Sequence, residues 1–128
     1  MAGQGNLYIT TRDEAAIGHL FLQNGRWRNQ QLVNANWVRD SFSDIVPISA
    51  VDPYADFYGY MWYTRAEPVE GRPVPVHFAS GNGGNKIYVV PSKDMVVAIT
   101  SSAYRKGYGQ RRSQDILLRI LAAASDSN

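Results

Sequence analysis

Extended segments separated by short turns, followed by one amphipathic helix, are the feature that most restricts the fold of this chain. Aromatic and β-branched residues favour strands, and they predict strands over residues 58–64, 76–80, 85–90 and 95–101. Pro91-Ser92-Lys93-Asp94 predicts a hairpin turn between the last two of these strands. Consecutive hairpin strands with a terminal helix predict an α+β fold, in which helices flank an antiparallel sheet.

Three segments have the capping residues or the spacing of helices. After a short extended lead-in over residues 7–10, Thr11 as N-cap and Glu14 three residues later form a predicted capping box, which starts a helix over residues 12–24. A shorter helix is predicted over residues 35–42, and a terminal helix over residues 113–124. The apolar stripe of this last helix comprises Ile116, Leu117, Ile120, Leu121 and Ala124.

Two segments are predicted as loops. Residues 43–57 contain two prolines without a clear period, and residues 67–75 contain three prolines and a glycine. Four acidic residues in these segments are interpreted as solvated loop charges: Asp52, Asp56, Glu67 and Glu70. By contrast, residues 96–99 are apolar at every position, which predicts a strand that is central or covered by a helix.

Composition excludes several classes of protein. The 128 residues suit one domain, 1–128. The absence of cysteine excludes disulfides and thiolate zinc sites, and two histidines are too few for a histidine-rich metal centre, so we expect no metal or cofactor. No apolar run approaches the roughly 18 residues of a membrane span, and residues 1–5 lack signal-peptide features. We therefore expect a soluble protein with no membrane partner, and its compartment stays open.

Residues 79–85, with the sequence ASGNGGN, are the strongest candidate for a chemical site. Glycines at a strand end let a ligand approach the backbone, whose N–H groups can bind an oxyanion. The same glycines equally serve a tight turn or bulge between strands. The segment lacks the Gly-Lys-Ser/Thr of a phosphate-binding loop, so it does not predict a nucleotide site.

The histidines and the basic residues have ordinary structural explanations. His19 points away from the apolar stripe of its helix and is interpreted as a surface residue, whereas His77 is interpreted as exposed or paired within the sheet. A basic cluster near the terminal helix is interleaved with two tyrosines: Tyr104, Arg105, Lys106, Tyr108, Arg111 and Arg112. Such a cluster can bind single-stranded nucleic acid. A net charge of +2 favours a solvated loop instead, and no nucleic-acid partner is expected.

Several blocks in one order resemble the serine β-lactamase-related family, which comprises class C β-lactamases, DD-peptidases, esterases and 6-aminohexanoate-dimer hydrolases. The blocks are GNLYITTRD at residues 5–13, NGRW at 24–27, YGYMW at 58–62 and FASGNGGNKIYVVP at 78–91, followed by Asp94 and Val96-Val97. The resemblance extends over about residues 3–124. It implies a partial β-lactamase/transpeptidase-like fold that corresponds to the C-terminal portion of a larger serine hydrolase domain.

The family's nucleophile and base motifs are not found in this chain. No serine stands three residues before Lys86, Lys93 or Lys106, so there is no Ser-x-x-Lys. None of the eight tyrosines is followed two residues later by asparagine or serine, so there is no Tyr-x-Asn. Because the reaction needs a serine deprotonated by a neighbouring base, the chain alone is expected to be inactive.

The resemblance does supply the family's third element, a triplet on the strand that lines the site. Ala79, Ser80 and Gly81 resemble this triplet, which implies substrate contacts there and at Gly83 and an oxyanion-hole donor at Asn82. Ala79 replaces the usual cation, a change that favours ester or amide substrates over lactams that carry a carboxylate.

The resulting hypothesis is a truncated relative of a β-lactamase-like serine hydrolase that acts on a small acyl substrate. It is expected to associate with itself or with a missing N-terminal part, because the incomplete sheet exposes apolar edges. The alternative is a non-catalytic binding or oligomeric interaction module that uses the same sheet.

Overall fold

The structure is a computed structural model that describes residues 8–125, so the first residues of the resemblance, and Leu7 of the predicted lead-in, lie outside it. The helices are α1 (Thr11–Leu22), α2 (Ala35–Ser41) and α3 (Gly109–Ser125). The strands are β1 (Arg26–Trp27), β2 (Gln30–Gln31), β3 (Val46–Pro47), β4 (Phe57–Tyr58), β5 (Tyr63–Val69), β6 (Arg72–Gly81), β7 (Asn85–Val90) and β8 (Met95–Ile99). The α+β class is confirmed.

The main sheet has six antiparallel strands in the order β3-β4-β5-β6-β7-β8, and β1 pairs with β2 in a separate hairpin. On one face of the main sheet, Phe78, Tyr88 and Val90 join Leu117 and Leu121 of α3 in the hydrophobic core. The other face is covered by α1, which packs on β7 and β8. Two helical layers therefore enclose the strands that carry the candidate site.

α1 begins one residue earlier than the sequence predicts and ends at Leu22 rather than at residue 24. The capping box is present, but Thr10 is the N-cap and Asp13 is its partner, rather than Thr11 and Glu14. Both Thr10–Asp13 hydrogen bonds form, at 3.1 and 3.2 Å. Which of the two threonines is the N-cap decides where α1 begins, because the N-cap residue has an extended backbone. Thr10 meets this requirement with φ −77° and ψ 162°.

The predicted loop over residues 67–75 is wrong, because these residues form the hairpin of β5 and β6. Glu70 and Gly71 make the two-residue turn with positive φ values of 51° and 75°. A type I′ turn requires positive φ at both of these positions. The prolines fall in the pairs Pro68↔Pro73 and Ala66↔Pro75. The Ala66 N–H donates to Asp56 Oδ2 at 2.9 Å, away from β6. The two pairs are therefore non-hydrogen-bonded positions of the antiparallel ladder, where proline can be accommodated although it has no N–H.

The aromatic segment 58–64 is two strands rather than one, because a turn over residues 59–62 separates β4 from β5. The N–H of Gly59 donates to the carbonyl of Trp62 at 2.8 Å, and Met61 has a positive φ of 65°. The predicted loop over residues 43–57 likewise contains β3 and the first residue of β4.

The last elements agree more closely with their predictions. β7 has the predicted bounds, β6 extends the predicted strand in both directions, β8 ends two residues early, and α3 starts four residues early. The turn over residues 91–94 contains a short 3-10 helix and ends with Asp94 in the left-handed region. In the stripe of α3, Leu117 and Leu121 are fully buried, but Ile116 is exposed.

The two edges of the sheet differ in character. β3 is two residues long and contains Pro47, features that discourage strand addition. β8 has five uncharged apolar residues, Met95–Ile99, and within residues 8–125 only β7 pairs with it. The sequence predicts that this strand is either central in the sheet or covered by a helix. β8 is covered by α1 and lies at the edge of the sheet. No helix within the described residues is long and apolar enough to cross a membrane.

The contact between α1 and the sheet gives the first testable prediction, at Gly18. A Cβ at this position would lie 2.6 Å from Val96 Cγ1 and 2.8 Å from Ile87 Cγ2. We expect overpacking in Gly18→Ala to lower the free energy of unfolding by about 1–3 kcal/mol. The higher helix propensity of alanine offsets roughly 1 kcal/mol of this loss. Urea unfolding followed by circular dichroism measures the change.

The matched control is Gly107→Ala, since a Cβ at Gly107 has no heavy atom within 4 Å. This substitution should leave the unfolding midpoint almost unchanged. A Gly18→Ala variant that is more stable than the Gly107→Ala variant would contradict the close packing of α1 on β8.

Candidate functional site

A shallow groove of about 250 Å³ opens where β6 ends, at the segment that the sequence singles out. Ile9, Glu14 and Ile17 form one side of the groove. The other side consists of Ala79, Ser80 and Gly81 from β6 and Asn85, Lys86 and Ile87 from β7. The three residues of the predicted triplet thus line one groove, whereas Asn82 and Gly83 lie in the adjoining turn and not among the lining residues.

The glycine turn itself packs tightly on the start of α3. Gly84 has φ +92°, and a Cβ on it would lie 2.5 Å from the carbonyl oxygen of Gly109. A Cβ on Gly83 (φ +84°) would lie 3.1 Å from the ring of Tyr104. Ser113 is buried, and its Oγ donates to the Gly84 carbonyl at 2.6 Å. These contacts alone require glycine at both positions, whatever the turn binds.

Asn82 and Asn85 close the turn. The Nδ2 of Asn85 donates to the Asn82 carbonyl at 2.7 Å, and its Oδ1 accepts the N–H of Ser101 at 2.9 Å. Asn82 is exposed at the tip. The turn is therefore held by side-chain bonds on both sides, next to the groove.

Ser80 and Lys86 are directly opposite one another on β6 and β7. Lys86 Nζ donates to Ser80 Oγ at 2.8 Å, and Ser80 Oγ donates to Gln110 Oε1 at 3.1 Å. Gln110 Nε2 in turn donates to the Gly81 carbonyl at 3.0 Å. The network joins the strand end to α3, and the motif search along the sequence missed it because the two residues meet across a hairpin.

Burial gives Lys86 unusual properties. Only 3% of the residue is exposed, and Nζ lies 4.7 Å from the centroid of the Phe78 ring. Desolvation lowers the pKa of Lys86 to about 8, against an opposing effect of the Asp52 carboxylate. A neutral amine is thus accessible near physiological pH, which an exposed lysine does not offer.

Glu14 lines the groove from the α1 side, on the face of the sheet opposite to the Ser80 and Lys86 side chains. Burial raises the pKa of its carboxyl. Its Oε2 is buried and makes no hydrogen bond among the described residues. An unpaired acceptor of this kind is costly to bury, and it is available to receive an N–H or O–H donor.

The two histidines occupy different environments. His19 is exposed, as its helical position predicts, and lies edge-on to Trp27. His77 is paired within the sheet: Nδ1 lies 2.8 Å from Thr64 Oγ1, and its ring stacks on Phe42 at 4.1 Å. Burial lowers the pKa of His77 to about 4, with Asp44 acting in the opposite direction. His77 is absent from the groove lining, so it serves packing rather than chemistry here.

The interpretation of Glu67 as a solvated loop charge is wrong. Glu67 lies in β5 and is 2% exposed. Its Oε1 is 3.3 Å from Arg65 Nε and accepts a hydrogen bond from Gln114 Nε2 at 3.0 Å. Asp52 and Asp56 are half-buried and accept backbone N–H groups, whereas Glu70 is exposed. Asp52, Asp56 and Glu67 are thus bonded within the fold, and none of the three lines the groove.

The basic cluster lies on the surface. Arg112 Nη2 donates to Ser101 Oγ at 2.8 Å, and the guanidinium lies 5.2 Å from the centroid of the Tyr108 ring. Arg105, Lys106 and Arg111 are exposed. Tyr104, Arg105, Lys106 and Tyr108 lie in the loop before α3, whereas Arg111 and Arg112 lie in the first turn of this helix.

Comparisons with known proteins add no assignment to this geometry. No protein-family model matches the chain, and a search of curated proteins found no match. Residues 8–125 contain no group of three or more metal-ligating side chains that could hold an ion.

The environment of His77 predicts a pH dependence of stability. Because burial lowers the folded-state pKa from 6.5 to about 4, the unfolded chain binds a proton first on acidification. The free energy of unfolding should thus fall as the pH drops from the unfolded-state pKa to the folded-state pKa. His77→Phe preserves the stacking on Phe42 and should remove this contribution, as measured by urea unfolding at several pH values.

His19→Phe, at the exposed histidine of α1, is the control and should preserve the fall of the wild type. An identical pH dependence for the wild type and His77→Phe would show that His77 does not make this contribution.

Proposed function

We propose that this chain is the C-terminal part of a serine hydrolase related to β-lactamases, and that it lines the acyl-binding side of the active site. The observation that supports this is the groove at the end of β6, where Ala79, Ser80 and Gly81 lie side by side. The absence of a Cβ on Gly81 leaves the backbone open to a substrate carbonyl.

The lining of the groove suits a small ester or amide. Its volume of about 250 Å³ is smaller than that of most sites for drug-sized ligands. Ile17 and Ile87 provide apolar walls for an acyl chain. Glu14 has an unpaired oxygen that can accept an amide N–H. One acceptor on apolar walls suits the N–H of a small amide.

The proposal assigns turnover to a larger assembly, because the Ser-x-x-Lys and Tyr-x-Asn motifs are not in this chain. The apolar edge strand β8 is where further chain would add. A second copy or an N-terminal part of the hydrolase can pair there, since an uncharged edge of five residues presents unpaired backbone groups.

A second candidate function is a non-catalytic interaction module. Its support is an exposed aromatic surface formed by Trp37, Tyr60 and Met61, which are 52%, 46% and 73% exposed. The rings of Trp37 and Tyr60 stack at 5.0 Å with an angle of 13°. Rigid exposed aromatic residues are common in protein interfaces. This surface does not overlap the groove, so one binding experiment separates the two candidates.

Binding of small acyl compounds tests the proposal. The 6-aminohexanoate dimer, ethyl butyrate and penicillin G represent an amide, an ester and a lactam, and each is titrated into ¹⁵N-labelled chain. We expect the amide or the ester to shift the backbone signals of residues 79–81 and 85–87. Ala79→Trp, which fills the groove, should abolish these shifts.

Ser102→Trp places the same side chain at an exposed position outside the groove and should leave the shifts intact. If none of the three compounds shifts these signals, or if they shift only Trp37, Tyr60 and their neighbours, the hydrolase assignment loses its support and the interaction module is favoured.

Association through β8 is a separate expectation. Sedimentation equilibrium over a wide concentration range should show self-association that Thr100→Lys weakens about tenfold, equivalent to about 1.4 kcal/mol. Residue 100 is exposed at the end of β8, where a lysine opposes strand addition.

Thr11→Lys is the matched control, because it breaks the same Thr11–Thr100 hydrogen bond (2.9 Å) from α1 rather than from the edge. A chain that stays monomeric at every concentration, or equal effects of the two lysines, would contradict association through this edge.

A further inference from the structure

A second cavity, of about 540 Å³, lies between the C-terminal end of α1 and the β1–β2 hairpin. It has no lining residue in common with the groove at the end of β6. Its lining consists of two arginines, a histidine, two amide side chains and an indole: His19, Gln23, Arg26, Trp27, Arg28 and Asn29. Hydrogen-bond donors and positive charge without a carboxylate suit an anion.

The positive charge of this cavity is not neutralised by its surroundings. Residues 15–39 contain three arginines and no acidic residue. Within residues 8–125, neither Arg26 nor Arg28 forms an ion pair. Arg26 Nη2 donates to the Asn29 carbonyl at 3.3 Å, and the Arg28 guanidinium contacts the Trp27 ring without a hydrogen bond to the described residues. Most of the five N–H donors of each guanidinium can therefore bind an anion.

The hairpin that carries both arginines is fixed by hydrogen bonds of its own. Gln31 Nε2 donates to the carbonyls of Asn24 at 2.7 Å and Val33 at 2.6 Å. Arg28 and Asn29 form the two-residue turn with positive φ values of 47° and 68°. Arginine rarely adopts this backbone conformation, and such positions recur at ligand-binding sites. The cavity is thus formed before any ligand enters it.

Trp27 is the organic wall of the cavity. Its half-buried ring lies edge-on to His19, with the centroids 5.8 Å apart, and the Arg28 guanidinium lies 5.8 Å from its centroid. A large apolar surface therefore adjoins the charged groups, as in sites for ligands that have one ionic and one organic part.

The end of α1 does not direct free carbonyl groups at this cavity. The carbonyls of residues 19–21 accept the N–H groups of residues 23–25 at 2.8–3.1 Å. The partial negative charge of a helix C-terminus resides on carbonyls without partners. Because these carbonyls are hydrogen-bonded, the arginines dominate the local electrostatics.

We propose that this cavity binds a small organic phosphate monoester, with Arg26 and Arg28 on the phosphate oxygens and the organic group against Trp27. Two guanidinium charges match a phosphate monoester, which carries about −1.5 to −2 charges near pH 7. A carboxylate would neutralise only one of them. The volume also lies within the range of roughly 300–1,000 Å³ of small-molecule sites. The site is independent of the acyl-binding groove, so either assignment can fail alone.

Titrations of ¹⁵N-labelled chain with phenyl phosphate, inorganic phosphate, benzoate and phenol test the site. We expect phenyl phosphate to shift the signals of the six lining residues, and to bind at least about tenfold more tightly than benzoate or phenol. Arg26→Gln and Arg28→Gln should each weaken this binding about tenfold or more, because each removes charged hydrogen bonds. Arg39→Gln is the matched control, at an exposed arginine outside the cavity, and should bind as the wild type does.

Inorganic phosphate distinguishes the two sources of the same chemistry. Equal affinities for inorganic phosphate and phenyl phosphate would assign the site to the free ion and overturn the organic ligand. No saturable shift at millimolar phenyl phosphate, shifts confined to residues 104–112, or unchanged affinity in both folded arginine variants would overturn the site itself.

Discussion

The pairing of β6 with β7 is the interaction on which the rest of the structure depends. Five consecutive pairs, from His77↔Val89 to Gly81↔Asn85, fix which side chains share a face. A slip of one residue would move Lys86 from the α3 face, where Ser80 accepts its hydrogen bond, to the α1 face. The same slip would bring Tyr88 out of the core. Core packing of Tyr88 and the hydrogen bond between Lys86 and Ser80 therefore favour the same register. A register shifted by one residue would disrupt both.

Much of the fold could be predicted, and the failures have physical causes. β7 was predictable to the residue, because Pro91 ends it and Asn85 follows the glycine turn. The hairpin of β5 and β6 was not, because proline is a reliable loop signal only where its nitrogen would face a partner strand. The β1–β2 turn gave no signal either: Arg28 and Asn29 both have positive φ, a conformation that arginine rarely adopts without tertiary contacts.

The candidate site was predictable in part. Glycines at a strand end indicated where a groove forms, and three residues of the predicted triplet line it. The partner of Ser80 could not be found by motif, since the motif describes spacing along a helix. Ser80 and Lys86 meet six residues apart because a three-residue turn, 82–84, reverses the chain between them. Finding the pair from sequence required the register of the hairpin, and the turn length that sets this register is visible only once the strand ends are known.

The two turns at the ends of β6 differ in how much change they tolerate. Gly84 contacts the backbone of Gly109, so the turn beside the groove has no room for added atoms. At the other end of the strand, a Cβ on Gly71 would meet no heavy atom within 4 Å, although its φ of +75° favours glycine there. The whole ten-residue length of β6 separates the two turns. The exposed side chain of Glu70 is therefore the natural attachment point for a surface anchor or a fluorescent reporter, because cargo there extends into solvent while the groove stays open.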